Sequence, residues 1–159
     1  MQTDLADTDR IIAFIRAIGI PVGVAAVEDG FLPGVAIRAG GIVYDPGRLA
    51  WAGDLLHEAG HIAVTDAALR PTLDEVEADG GEEMATIAWT YAAALAIGIE
   101  PTIVFHAGGY GKGGEWIADV FAADGLLGQP LLHAWGMTHA LGEPPEGATV
   151  YPRMERWLR

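Results

Sequence analysis

The stretch Leu55-Leu56-His57-Glu58-Ala59-Gly60-His61-Ile62-Ala63 contains an HExxH motif with no proline and no charge other than Glu58. Leu55, Ala59 and Ile62 form an apolar stripe at helical spacing, which predicts a buried helix over about residues 49–64. Residues four apart in a helix sit nearly one above the other, so both imidazoles project from one face toward one point. That spacing suits a single Zn²⁺ taking two nitrogens at about 2.0–2.1 Å. Glu58 lies about a third of a turn away. It is displaced from the histidine strip but placed to reach a water on the metal and act as its base, the core of metal-assisted hydrolysis. Gly60 costs a mid-helix position about 1 kcal/mol relative to alanine, which suggests that another element packs closely against it. The competing reading is a buried helix whose two histidines are satisfied by hydrogen bonds.

Working outward, Ile11, Ile12, Phe14, Ile15 and Ile18 have helical spacing, and Gly19 and Pro21 stop that helix. Val22 to Val27 reads as a short strand. Val35-Ala36-Ile37-Arg38 and Ile42-Val43-Tyr44, joined through Ala39-Gly40-Gly41, read as a β-hairpin. After the HExxH helix come Arg70-Pro71, an acidic loop, and a long alanine-rich helix from about residue 75 or 81 to residue 97. Pro101 starts another segment, residues 108–114 form a loop, and helices follow over residues 115–123 and 130–141, then a short amphipathic tail with Met154, Trp157 and Leu158. The order of helix, small sheet and helices is α+β, with the hairpin packed on the HExxH helix and a helical C-terminal half. A length of 159 residues, with 51% hydrophobic content and no internal repeat, is that of one domain over residues 1–159. Residues 1–100 would carry the metal-site core and residues 101–159 a helical C-terminal part.

The net charge of −13, with only nine Lys and Arg, argues against nucleic acid as a partner. Absence of cysteine removes disulfides, thiolate ligands and a cysteine nucleophile. The longest apolar run, residues 87–99, is too short to span a bilayer, and the acidic N-terminus lacks the features of a secretory signal. A cytoplasmic protein with no membrane partner is therefore expected. Six acidic residues fall between Asp74 and Glu83, most of them suited to a solvated loop and a helix N-terminus.

A catalytic zinc takes three protein ligands and keeps one position open. The extended form HExxHxxGxxH is absent, because Val64 and Ala67 stand where its glycine and third histidine would be. A carboxylate near the start of the helix opening Gly80-Gly81-Glu82-Glu83-Met84-Ala85-Thr86 could complete the site. Glu82 and Glu83 cannot both face the metal. The face of Glu82 continues through Ala85, Thr86, Trp89, Ala93 and Ala96, mostly small residues that permit close helix approach, so Glu82 is the expected third ligand, with Glu83, whose face continues through Ile87, Thr90 and Ala94, as the alternative.

HExxH followed by a glutamate in a Glu-x-x-Ala context resembles the gluzincin metallopeptidases, nearest to the small ImmA/IrrE-type (M78 peptidase-like) group. The resemblance covers roughly residues 10–100. It implies a minimal zincin-like domain and a zinc-dependent metallopeptidase acting on a peptide or protein substrate. His57, His61 and Glu82 would bind the metal, and Glu58 would be the general base. Thr86 stands where the group has Asp or Asn, a residue that the resemblance implies would orient the first histidine.

Two other readings compete. A non-catalytic, metal-stabilised module that binds a protein partner would use the same ligands. Gly109-Tyr110-Gly111-Lys112-Gly113-Gly114 satisfies GxGxxG and follows Thr102-Ile103-Val104-Phe105, the pattern of a nucleotide site. It lacks an acidic residue ending a second parallel strand about twenty residues on, so the loop reads better as a rim of the zinc cleft. His106 and Tyr110 flank it and are candidates to donate to a developing oxyanion. His133 and His139 read as core or surface histidines.

Overall fold

The computed structural model describes residues 5–75, 79–110 and 113–159. The first four residues, Glu77 of the acidic run, and Gly111 and Lys112 of the glycine loop lie outside the described residues. The architecture is α+β. The elements run α1 (Leu5–Ala17), β1 (Val22–Val24), β2 (Val35–Arg38), β3 (Gly41–Tyr44), α2 (Ala52–Val64), a 3₁₀ turn (Arg70–Thr72), α3 (Gly80–Ile97), α4 (Pro101–Val104), α5 (Gly114–Ala122) and α6 (Gln129–Ala134).

The sheet has strand order β1-β3-β2. β1 runs parallel to β3 with Val22 opposite Ile42, and β2 runs antiparallel with Val35 opposite Tyr44. The hairpin turn puts Ala39 at φ 48° and Gly40 at φ 71°. Paired positive φ values give a two-residue turn whose twist matches that of the strands. β2 is thus an edge strand.

α2 is the centre of the molecule. Leu55, Leu56, Ala59, Ile62 and Ala63 have no exposure at all, and α1, α3, α4 and the sheet all pack against this one helix. Its closest neighbour is α3. A Cβ added at Gly60 would lie 2.9 Å from Thr86 Cγ2, 3.0 Å from Thr90 Oγ1 and 3.1 Å from Trp89 Cε3. Glycine here lets the two helices approach at the level of the histidines. At Gly53 an added Cβ would lie 2.3 Å from the Ile103 carbonyl oxygen, so α4 crosses close to the start of α2.

The helix ends are satisfied by specific groups. The Asp79 carboxylate accepts from the Glu82 N–H at 2.8 Å and caps α3, which ends at Gly98 in the left-handed region. Arg10 donates to the carbonyls of Ile97 and Gly98 at that end. Arg70 donates to Ile62 and Thr65, while Arg159 reaches Ala63 through its N–H and Val64 through its guanidinium. The last carbonyls of α2 are therefore held by two arginines, the charge that suits a helix C-terminus.

Three local expectations are corrected. The helix expected over residues 130–141 stops at Ala134, because the backbone beyond it is taken by the tail. His139 N–H donates to Thr149, Tyr151 N–H to His139, and Glu155 N–H to Met137. That tail is irregular, and its apolar side chains insert into the core instead of forming an amphipathic turn. Trp157 meets Phe14 edge-on at 4.9 Å, and its carbonyl accepts from the Trp89 indole. Residues 101–104, which the nucleotide reading needs as a strand, form α4. No described helix is long and apolar enough to cross a membrane.

Candidate metal centre

His57 and His61 project from α2 with their Nε2 atoms 3.1 Å apart. The first turn of α3 brings a carboxylate to them. Glu83 Oε2 lies 3.2 Å from His61 Nε2, and Glu83 Oε1 lies 3.6 Å from His57 Nε2. Donors at about 2.0–2.1 Å around a tetrahedral ion are themselves about 3.3–3.4 Å apart. The observed separations, with a different carboxylate oxygen nearest each imidazole, lie around that value, so the donor set could hold one metal ion. Among the described residues this is the one group of three or more His, Cys, Asp or Glu that could hold a metal.

The expected carboxylate was Glu82; the structure brings Glu83 to the histidines instead. The reason is geometric. Helical side chains lean toward the N-terminus, so a surface spot is covered by a residue about one position C-terminal to it. Gly60 meets Thr86, Trp89 and Thr90 of α3, so the contact runs between the faces that begin at Glu82 and at Glu83, and of the two side chains it is Glu83 that reaches the histidines. Glu82 instead has its N–H held by the cap.

The outer nitrogens of both imidazoles are engaged. Tyr110 Oη is 2.7 Å from His57 Nδ1, and Thr86 Oγ1 is 3.3 Å from His61 Nδ1. Thr86 therefore serves the second histidine of the motif, whereas the resemblance implied the first. With each Nδ1–H donating to its hydroxyl, both Nε2 lone pairs converge on the point that Glu83 faces. Two such lone pairs 3.1 Å apart repel unless a proton or a cation lies between them.

Burial and the neighbouring His61 push the His57 pKa down to about 4, which keeps the ring neutral. Burial alone would raise the Glu83 carboxyl, but its bond to His61 and the proximity of the two imidazoles hold it below its ordinary value. Neutral imidazoles and an ionised carboxylate are the forms that bind metal. Glu58, in the same cleft, is pushed up to about 7, chiefly by burial, with Asp54 and Glu83 adding to the effect against the pull of His61. A cation beside it would draw this value down.

Tyr110 reaches His57 from an anchored loop. Phe105 is fully buried below it with ring centroids 5.5 Å apart, and Tyr110 takes a left-handed backbone at φ 54°. His106 stacks on Trp51 at 4.2 Å and 9°, and its Nε2 is 2.9 Å from Asp54 Oδ1, both side chains being buried. Burial raises the Asp54 carboxyl against the opposing pull of His106. The Nδ1 of His106 is buried without a partner and lies beside the backbone of Gly108 and Gly109. His106 does not line the cleft, whereas Tyr110 does, with its hydroxyl against His57 Nδ1. Sequence reasoning missed the positioning contact of Tyr110, because no periodicity links residues 53 apart.

The cleft has a volume of about 940 Å³, within the range of ligand sites. Glu58, the two histidines and Glu83 line it, together with Val35, Ala36 and Ile37 of β2. Gly109 and Tyr110 of the glycine loop also line it. His133 and His139 pack against each other at 4.8 Å and take no part in it. Comparison of the chain with protein-family models, curated proteins and solved structures returned no match.

Proposed function

We propose that the protein is a zinc-dependent hydrolase of peptide bonds, built on a minimal zincin-like domain of the gluzincin kind. The observation that carries the reading is the convergence of His57 Nε2, His61 Nε2 and the Glu83 carboxylate, whose two oxygens lie 3.6 and 3.2 Å from the respective nitrogens. Two imidazoles and a carboxylate with no thiolate are a donor set of catalytic zinc sites, which keep a fourth position open. Access supports the same reading. The Glu83 side chain is 37% exposed and that of His57 is 13% exposed, both toward the cleft, so the described residues do not seal the centre.

When bound, a divalent cation supplies Lewis acidity, which polarises a carbonyl and acidifies water. The chain's own groups supply the rest. His57, His61 and Glu83 hold the ion, while Tyr110 and Thr86 fix the ring orientations. Glu58 accepts a proton from the attacking water and delivers it to the leaving nitrogen. Its place in the cleft beside the two histidines, outside the donor group, suits a carboxylate that takes a proton from water and passes it on.

Extended peptide is the substrate class that the cleft favours. Successive strand residues point to opposite faces, yet Val35, Ala36 and Ile37 all line the cleft. β2 is an edge strand along the cleft, the kind of edge to which an extended chain can add, and Val35, Ala36 and Ile37 are themselves only 1–5% exposed.

The test is metal analysis of the purified protein together with cleavage of a mixed peptide library at neutral pH. Zinc near one equivalent, lost on His57→Ala plus His61→Ala, and cleavage abolished by a chelator and restored by zinc are the expected results. Full zinc occupancy in the double variant would sink the metal site. Absence of chelator-sensitive cleavage would sink the hydrolase.

A further inference from the structure

Two side-chain contacts join the same two segments of the chain. Asp54 and His57 stand three residues apart in α2, so they leave the helix on one face. His106 and Tyr110 stand four residues apart in the segment that follows α4. Asp54 Oδ1 is 2.9 Å from His106 Nε2, and His57 Nδ1 is 2.7 Å from Tyr110 Oη. The contacts are successive rungs between the helix and the segment. One ends on a ring of the candidate metal centre, and the other does not.

The rung away from the centre is closely built. Gly53, beside Asp54, lets α4 cross the start of α2, since a Cβ there would lie 2.5 Å from Val104 Cα. That approach brings His106, two residues beyond Val104, to Asp54. Trp51, the residue before α2, stacks on the imidazole. The chain then turns back on the ring. Gly109 N–H donates to the His106 carbonyl at 3.1 Å, and a Cβ on Gly109 would lie 3.1 Å from His106 Cε1. Tyr110 is the next residue, so its place follows from where the His106 ring is held.

Packing alone does not call for histidine at this position. His106 is 7% exposed and its Nδ1 is buried without a partner, a penalty that a phenyl ring stacked on Trp51 would avoid. What the imidazole adds is a directional bond to Asp54, which is itself only 5% exposed. A buried polar pair of this kind fixes geometry, because any other arrangement leaves both groups unsatisfied.

We infer that Asp54 and His106 are positioning residues of the metal centre: their bond sets the Tyr110 hydroxyl on Nδ1 of His57 and so holds the His57 ring with Nε2 toward Glu83 and His61. The inference rests on the proposed metal centre and assigns two residues that would touch neither the ion nor the reacting atoms. Their effect passes through Tyr110. It is therefore present in the metal-free protein and disappears when the Tyr110 hydroxyl is removed.

The experiment reads the His57 ring and the metal separately in the full-length protein. Imidazole ¹⁵N signals of the metal-free protein and zinc affinity by chelator competition are compared for wild type, Tyr110→Phe, His106→Phe and the double variant. His106→Phe keeps an aromatic ring against Trp51 and removes the bond to Asp54. It should move the His57 signals toward those of Tyr110→Phe and lower zinc affinity about tenfold, the low end of the effect of disturbing a contact to a ligating histidine. Added to Tyr110→Phe, it should change affinity by less than about twofold, because the two substitutions cut one path. Effects of His106→Phe and Tyr110→Phe that multiply overturn the inference, since they would mark His106 as a packing residue alone. Wild-type His57 signals in His106→Phe overturn it equally. Should His106→Phe not fold, Asp54→Asn and Asp54→Ala decide the matter. Asparagine keeps an acceptor for His106 Nε2–H and should hold the His57 signals and keep affinity within about threefold of wild type. Alanine should reproduce the loss, and equal behaviour of the two variants overturns the inference. Failure of the metal centre has a different signature: wild type binding zinc no better than His57→Ala plus His61→Ala, while the His57 signals still respond to His106.

Discussion

The Tyr110 hydroxyl lies 2.7 Å from Nδ1 of His57, so a loop 53 residues away in sequence sets the orientation of the first histidine of the HExxH motif. Burial and the surrounding carboxylates of Glu83, Asp54 and Glu58 raise the Tyr110 pKa far above its ordinary value, so the phenol stays neutral. A neutral hydroxyl can accept from Nδ1–H and leave Nε2 free for a metal. Tyr110→Phe keeps the ring packed on Phe105 and removes only this bond. Metal affinity should fall about 10- to 100-fold, the usual effect of losing a contact to a ligating histidine. Chelator competition measures it, with thermal unfolding of the metal-free protein as control. An unchanged affinity would mean that α2 alone holds the His57 ring.

The two adjacent glutamates of α3 should separate cleanly. Glu83→Gln removes a charged donor facing both imidazoles, whereas Glu82→Gln changes a side chain outside the group. Zinc affinity should drop strongly in the first variant and stay within about twofold in the second. Zinc should also raise the unfolding temperature of wild type, because it binds only where α2 and α3 meet. At 100 times its dissociation constant the gain is about 2.7 kcal/mol. Glu83→Gln should lose this protection at the same zinc concentration. A larger loss in Glu82→Gln would return the ligand role to Glu82.

Gly60 controls how near those helices come. Gly60→Ala improves helix propensity by about 1 kcal/mol, yet its Cβ would press on the branched, buried side chain of Thr86 at 2.9 Å. Overpacking at such a site costs about 1–3 kcal/mol. Net destabilisation is expected in denaturant unfolding, together with weaker zinc binding as Glu83 and Thr86 are pushed from the histidines. A more stable variant with unchanged zinc affinity would show that α3 can shift freely.

The parts of the fold that could be read from sequence are those fixed by local chemistry. The α2 helix follows from its apolar stripe, the β2–β3 hairpin from its glycine turn, and the His57–His61 pair from helical spacing alone. Glu83 could not be separated from Glu82 by face composition, because both faces of α3 are rich in small or buried residues. The contact at Gly60 runs between the two faces, and only the packed pair of helices shows which side chain reaches the histidines. The role of Tyr110 and the early end of α6 depend on contacts between distant segments. For α6 it is the tail, through Thr149, Tyr151 and Glu155, that takes the backbone groups a longer helix would use.

Glu58 separates an enzyme from a metal-stabilised binding module. It lines the cleft and belongs to no part of the three-residue donor group. Glu58→Gln keeps the shape of the side chain and can still hydrogen-bond, so zinc content and unfolding temperature should match wild type. Removal of the proton acceptor should cut kcat/KM on any cleaved peptide by about 10²- to 10⁴-fold, the range of general acid–base contributions. Because peptide binding does not need proton transfer, KM should change far less than kcat. The combination of intact metal, intact peptide binding and lost turnover is what a general base predicts and a ligand or a purely structural carboxylate does not. Equal cleavage by Glu58→Gln would remove the proton-transfer role while leaving the metal centre in place. Loss of zinc in that variant would mean that Glu58 helps to hold the ion, and the assignment of Glu83 as third ligand would then have to be measured again in the Glu58→Gln background.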